Sequence, residues 1–320
     1  MAISKPWCLA GVLLLGLVAG VDRVGAAEGP ALALAALSKL KATKMGVDHL
    51  GNLWAWNNTD GGLRFLSRHG DLDSRYTVPQ ASAVDADADW GVVGLFDSGR
   101  LLRWMRGKGQ PDVDIRLSDS ASDLAWIALD SVAVAPQTAA HRIELWNLRE
   151  RKLTRTLGQE TPIRPTVGAT RLRSVVVRYD FEREIFYSLD SFTGELQVYK
   201  RNGELAWRAR VDNPDREKLE PWLRDMDASA KAQRTVETPV FFSLFLAPAA
   251  DGSAWVTQRH DPSTGTITLV RVSPRGSPTT TTLRGEPCAS RTFVIWGDRM
   301  IFHVDPAAPR DGCSNSRKLP

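Results

Sequence analysis

Cysteine, histidine and tyrosine are scarce: the 320 residues hold three, five and four of them. Cys8 falls inside the N-terminal apolar run, so the remaining pair, Cys288 and Cys313, reads as one disulfide in an oxidising compartment. The loop it closes would contribute roughly 3 kcal/mol in the chain-entropy picture. A metal site there is disfavoured, because His303 alone lies near either cysteine. None of the five histidines (His49, His69, His141, His260, His303) stands at metal-ligand spacing from another. There is no Gly-x-Ser-x-Gly elbow, phosphate loop or dinucleotide fingerprint. Beyond the N-terminus no stretch reaches the ~18 uninterrupted apolar residues of a membrane span. Lys and Arg (41) and Asp and Glu (37) are interspersed, net +4, with no basic run that argues for nucleic acid.

What is present begins with an export signal. Lys5 precedes an apolar run from Cys8 to Val21, too short for a span, and Val24-Gly25-Ala26 or Gly25-Ala26-Ala27 forms a small-residue cleavage box. The expectation is a signal peptide over 1–26 and a soluble, monomeric, secreted or periplasmic mature chain.

Tryptophan, with 11 copies, is the compositional outlier, and it falls into a repeat. Gly91-Val-Val-Gly-Leu-Phe-Asp-Ser-Gly-Arg-Leu-Leu-Arg-Trp-Met105 reads as strand, turn, strand. Comparable first strands start near positions 42, 81, 124, 174, 240 and 291, each followed by further short strands and ending in a more polar one. A period of about 40–50 residues with four strands per unit is the signature of propeller blades. A pair of β-sandwiches explains the strands but not the spacing. The fold expected is all-β: a six-bladed β-propeller of four-stranded antiparallel blades over 42–305. Segment 27–41 is a ring-closing strand or helix, and 306–320 a tail. Trp54, Trp104, Trp126, Trp146, Trp255 and Trp296 read as packing between blades rather than as carbohydrate-stacking platforms.

One segment breaks the pattern. Asn213-Pro214-Asp215-Arg216-Glu217 looks like a capped helix start, and Leu219, Trp222, Leu223, Met226 and Ala230 follow at helical spacing. This predicts a short helical insertion over 213–235, between blades four and five.

Gly46-Val-Asp-His-Leu-Gly-Asn-Leu-Trp54, Phe96-Asp-Ser-Gly-Arg-Leu-Leu-Arg103, Asp190-Ser-Phe-Thr-Gly-Glu-Leu196 and Asp251-Gly-Ser-Ala-Trp255 together resemble the phrases of NHL-repeat and streptogramin-lyase-like six-bladed propellers. The resemblance covers about residues 42–305. It implies a fold that hosts binders, lyases, hydrolases and scaffolds alike. It also implies that ligands bind where the fourth-to-first and second-to-third strand connections gather. On that face fall Asn57–Gly61, Asp97–Gly99, Pro136–His141, Asp190–Gly194, His260–Gly265 and the insertion. Candidate binding residues are therefore His141, His260, Asp190, Trp222 and Arg224.

Asp85, Asp87 and Asp89 alternate along one strand and suit calcium or another hard divalent cation. Trp90 and Phe96, however, stand where a calcium loop needs Gly and a bidentate Glu. With no catalytic signature, no cofactor is expected. The leading expectation is a non-catalytic propeller binding a protein, peptide or glycan on the insertion-bearing face. The competing one is a metal-assisted lyase or hydrolase at the channel mouth.

Overall fold

A computed structural model describes residues 42–67, 72–78, 80–96, 99–137, 140–159, 175–191, 193–215, 221, 244–261, 264–284, 289–304 and 316–319. The leader 1–26, the segment 27–41, Cys288, Cys313, Trp222 and Arg224 lie outside these residues.

The first blade pairs β1 (Lys44–Val47), β2 (Leu53–Trp56), β3 (Gly62–Leu66) and β4 (Leu72–Thr77) in chain order, all antiparallel. The second is β5 (Ala83–Asp87), β6 (Gly91–Phe96), β7 (Arg100–Trp104) and β8 (Val113–Arg116). The third is β9 (Ala121–Ala128), β10 (Ser131–Pro136), β11 (His141–Asn147) and β12 (Lys152–Gln159). The fourth is β13 (Val175–Asp180), β14 (Ile185–Asp190), β15 (Glu195–Lys200) and β16 (Leu205–Arg210), and the fifth β17 (Phe245–Pro248), β18 (Ala254–Asp261), β19 (Thr266–Val272) and β20 (Pro278–Leu283). The last sheet has three strands among the described residues: β21 (Ala289–Trp296), β22 (Arg299–Val304) and β23 (Ser316–Lys318).

An all-β propeller of four-stranded antiparallel blades is thus present, but among the described residues six complete blades are not: five sheets have four strands and the sixth has three. Its third strand, Ser316-Arg-Lys318, pairs with β22 from within the expected tail. Three polar residues carry no apolar alternation, so that strand gives no sequence signal. Among the described residues no helix longer than a single residue, Pro221, is present either. Of the expected insertion only Asn213–Asp215, a turn, and Pro221 are described. The buried Asn213 amide donates to Ser191 O (2.9 Å) and accepts from Asp215 N (2.9 Å), which ties this stretch to the blade-four turn.

The sheets close a ring because each has two apolar faces to cover. Among the described residues an apolar core lies between every pair of neighbours, including one that joins Met45, Leu53 and Leu66 of the first blade to Val294 and Ile301 of the last sheet. Trp54, Trp104, Trp126, Trp146 and Trp255 are buried in these cores as expected. Trp54 lies so close over Gly46 that a Cβ there would fall 2.3 Å from its ring. Half-buried Trp296 donates Nε1–H to Gly51 O (2.9 Å), joining the last sheet to the first.

The glycine that ends three of the second-to-third-strand turns is a structural stitch. Gly61, Gly99 and Gly194, in the second-to-third-strand turns, each offer their C=O to the residue that follows the outer strand: Val78 (2.7 Å), Leu117 (2.8 Å) and Val211 (2.8 Å). Gly194 has φ +72°, and a Cβ on it would meet Val211 O at 1.7 Å, so no other residue fits.

Candidate functional site at the channel mouths

The first strands β1, β5, β9, β13, β17 and β21 surround the channel. They do not pair with one another, so their free backbone N–H groups need acceptors. Carboxylates on the neighbouring first strand or its turn supply them. Asp48 Oδ2 accepts Ala88 N (3.1 Å), Asp85 Oδ2 accepts Trp126 N (2.7 Å) and Asp123 Oδ2 accepts Val177 N (3.1 Å). This sequence rule runs around half the ring and fixes the blades' mutual register.

The channel has two unlike ends. The crossover mouth, where fourth-to-first connections gather, opens into a cavity of about 320 Å³. A charged collar crosses it. Asp123 Oδ1 accepts Lys44 Nζ (2.8 Å) and Oδ2 accepts Arg178 Nη1 (2.5 Å). The Arg178 guanidinium also lies 5.6 Å from the Phe245 ring centroid. Burial would raise the Asp123 carboxyl, but Arg178 and Lys44 outweigh it and hold it below the ordinary carboxylate range. Asp85 sits on the same stretch of channel without a direct ion pair. Burial pushes it up to about 6, against the Trp126 N–H bond and the more distant Lys44 and Arg178 charges.

The first-turn mouth, ringed by the turns between first and second strands, is wider: about 700 Å³, lined by residues of blades one, four and five and the last sheet. Val47, Phe245, Leu246, Phe293, Ile295 and Trp296 give it apolar walls. At its rim the blade-one turn is capped by buried Asp48, whose Oδ1 accepts Leu50 N (3.0 Å) and Asn52 N (2.7 Å). Burial raises the Asp48 carboxyl, partly offset by the bonds from Asn52 and Ala88. The next residue, His49, reaches the second blade. Its Nδ1 makes a short hydrogen bond to Asp87 Oδ2, which also accepts His49 N (3.3 Å). Asp87 Oδ1 accepts Asp89 N (2.9 Å) and Trp90 N (3.0 Å). The imidazole stacks on Trp90 (centroids 4.2 Å apart, planes 10° apart) and meets the edge of Phe181 (6.0 Å). Phe181 packs on Trp90 (5.7 Å) and Tyr179 (5.1 Å), and Trp90 on Trp126 (5.9 Å). An Asp-held, aromatic-clamped histidine therefore borders the larger cavity.

The residues singled out from sequence lie elsewhere or have other partners. His141 opens β11, a third strand set back from the channel, and its Nε2 bonds Glu144 Oε1 (3.0 Å), which shares that carboxylate with Trp146 Nε1 (2.9 Å). His260 lies in β18, a second strand, opposite Ile267. Asp190 is buried and caps its own turn by accepting Thr193 N (3.1 Å). Asp85, Asp87 and Asp89 do not share a site: Asp85 serves Trp126, Asp87 serves His49, and exposed Asp89 faces Arg106 (3.5 Å). Among the described residues no group of three or more His, Cys, Asp or Glu is placed to hold a metal ion. Sequence reasoning missed His49 with Asp87, and the collar of Lys44, Asp123 and Arg178. The one available signal was phase: Asp48 follows and Asp87 ends the first strand of successive blades, so the turn after one meets the turn after the other.

No known family pattern matches the chain, and no curated protein matches it in sequence. Among solved structures it is similar to virginiamycin B lyase from Staphylococcus aureus: TM-score 0.52, 10% identity, 81% of this chain and 76% of that one. A catalytically inactive histidine-to-alanine variant of that lyase with quinupristin gives the same values. A streptogramin B lyase matches with TM-score 0.50 and 11% identity over 81% of this chain and 75% of that one. The chain thus has the fold of the streptogramin B lyase-like β-propellers.

Proposed function

We propose that this chain is an exported, non-catalytic propeller that binds a peptide, protein segment or glycan in the first-turn mouth of its channel. One observation carries the reading: a cavity of about 700 Å³ has apolar walls, while the charged groups around it are largely paired within the protein. Such concave, mostly apolar sites with few placed polar groups are where ligands bind. The site thereby moves from the crossover face, which the sequence favoured, to the opposite end. Val47→Trp or Ile295→Trp, which fill the cavity from half-buried wall positions, are expected to abolish binding of peptides or glycans selected on the wild-type protein. Asn58→Trp at the crossover mouth should leave it intact; the reverse pattern would sink the reading. The leader-like N-terminus and the Cys288–Cys313 pair support export. Sequencing of secreted chain should begin at Ala27 or Glu28.

The His49–Asp87 pair favours a second reading, a lyase or hydrolase at this mouth, because it has the form of a base held by an orienting carboxylate. No Ser, Thr or Cys lines the cavity among the described residues, so a water or the substrate itself would supply the reacting proton. Turnover of a bound ligand, lost in His49→Gln, is the result that would replace binding by catalysis.

A further inference from the structure

We propose that the first-turn mouth recognises, in its ligand, an apolar group that presents an N–H or O–H donor, and that His49 Nε2 is the acceptor. The inference rests on the reading of that mouth as the binding site.

The acceptor is fixed by its surroundings. Asp87 is fully buried and spends one oxygen on two backbone N–H groups. Its other oxygen faces His49 Nδ1. A carboxylate there holds the proton on Nδ1 and leaves the lone pair of the neutral ring on Nε2. The Trp90 stack and the Phe181 edge hold the ring plane. The side chain is 23% exposed, borders the cavity, and makes no hydrogen bond through Nε2 among the described residues.

A purely structural duty is already discharged by other groups. The His49 backbone N–H reaches Asp87, and Asp48 joins the same two blades through Ala88 N. Most of the other charged groups at the rim have partners of their own. Arg183 bonds Asp180 (3.2 Å) and Ala250 O, Arg178 bonds Asp123, and Asp48 is capped by its own turn. A neutral donor needs only the imidazole, and exposed Glu182 and Asp298 stand at the same rim.

The test uses matched neutral pairs that differ by one donor: indole against 1-methylindole, and 2-naphthol against 2-methoxynaphthalene. Affinities come from NMR titration of the full mature chain. The donor-bearing member is expected to bind about 3- to 10-fold more tightly, the usual net worth of one hydrogen bond. It should also shift the His49 Nε2 nitrogen resonance, which its methylated partner should not. His49→Asn keeps a donor for Asp87 but has no acceptor at the Nε2 position, and should bring the preference within about twofold. Asn58→Ala at the other end should leave it unchanged. Equal affinity for both members in the wild type, or a preference that persists in His49→Asn, overturns the proposal and leaves the cavity as the binding site. If no compound shifts resonances of Val47 or Trp296, both readings fall together. The wild-type nitrogen resonance decides the matter even if the variant does not fold.

Discussion

The two ends of one channel solve the same problem, polar groups facing a narrow space between unpaired strands, in opposite ways. At the crossover mouth one carboxylate, Asp123, is shared by two cations, Lys44 and Arg178. At the first-turn mouth the carboxylates of Asp48 and Asp87 are satisfied by backbone N–H groups and by one imidazole edge. The first arrangement commits both oxygens of its one carboxylate, to the two cations and to Val177 N. The second leaves the His49 ring at the edge of a cavity with apolar walls. Wide and partly unsatisfied, rather than merely charged, is what distinguishes a receptive surface from a closed one.

The comparison breaks most visibly at the collar. Asp123→Ala strands two cations in a partly wet channel, and loss of about 3 kcal/mol is expected in urea unfolding, the usual scale for orphaning a buried charge. Asp123→Asn should cost less, because it still accepts Val177 N–H. An effect of similar size is expected from pH. Asp85 has a folded value of about 6 against an ordinary 3.8, so the folded state holds its proton more tightly. The stability this adds is complete below the ordinary value and is lost as pH rises through about 6; by linkage it amounts to on the order of 3 kcal/mol. Asp123 acts in the opposite sense: its stabilisation is present above the ordinary carboxylate value and is lost as pH falls through its depressed one. Melting of Asp85→Asn between pH 4 and pH 7 should show a flatter profile than the wild type, roughly by that amount. An unchanged profile would place the titration elsewhere.

At the first-turn mouth, Trp90→Ala removes one face of the His49 clamp and part of the core contact with Trp126. Roughly 2 kcal/mol is expected, below the cost of truncating a fully buried Trp because Trp90 is half-buried. His49→Asn is the mildest, at under about 1 kcal/mol, since Asp87 keeps its two backbone donors and a side-chain amide. If it proves as costly as Asp123→Ala, the two ends are alike and His49 is a structural clasp.

Much of the frame could be read from residues alone. The strand starts near 42, 81, 124, 174, 240 and 291 fall within a few residues of β1, β5, β9, β13, β17 and β21, because period-two apolar alternation is local. The buried tryptophans follow from the same pattern. The site did not follow, because its parts are far apart in sequence and each looks ordinary alone. His49 is a turn residue and Asp87 a strand end, and only the stacking of one blade's turn on the next brings them together. Likewise the alternation of Asp85, Asp87 and Asp89 suggested a shared cation. On a channel-lining strand and the turn after it, each acid instead meets a different neighbour. Ser316–Lys318 was illegible for another reason: an edge strand can be recruited by pairing alone, without any apolar face.

The hydrogen bond from Trp296 to Gly51 spans 245 positions of chain. During synthesis, the first blade therefore emerges long before the sheet that seals its outer side. Until then Met45, Leu53 and Ala55 present an uncovered apolar face. A nascent chain in this state is open to swapping its last sheet with another copy, or to capture by chaperones, and closure is a late, long-range step. Ribosome-stalled chains ending before β21 should thus be protease-sensitive at the first blade, whereas chains that include β21 and β22 should be protected there.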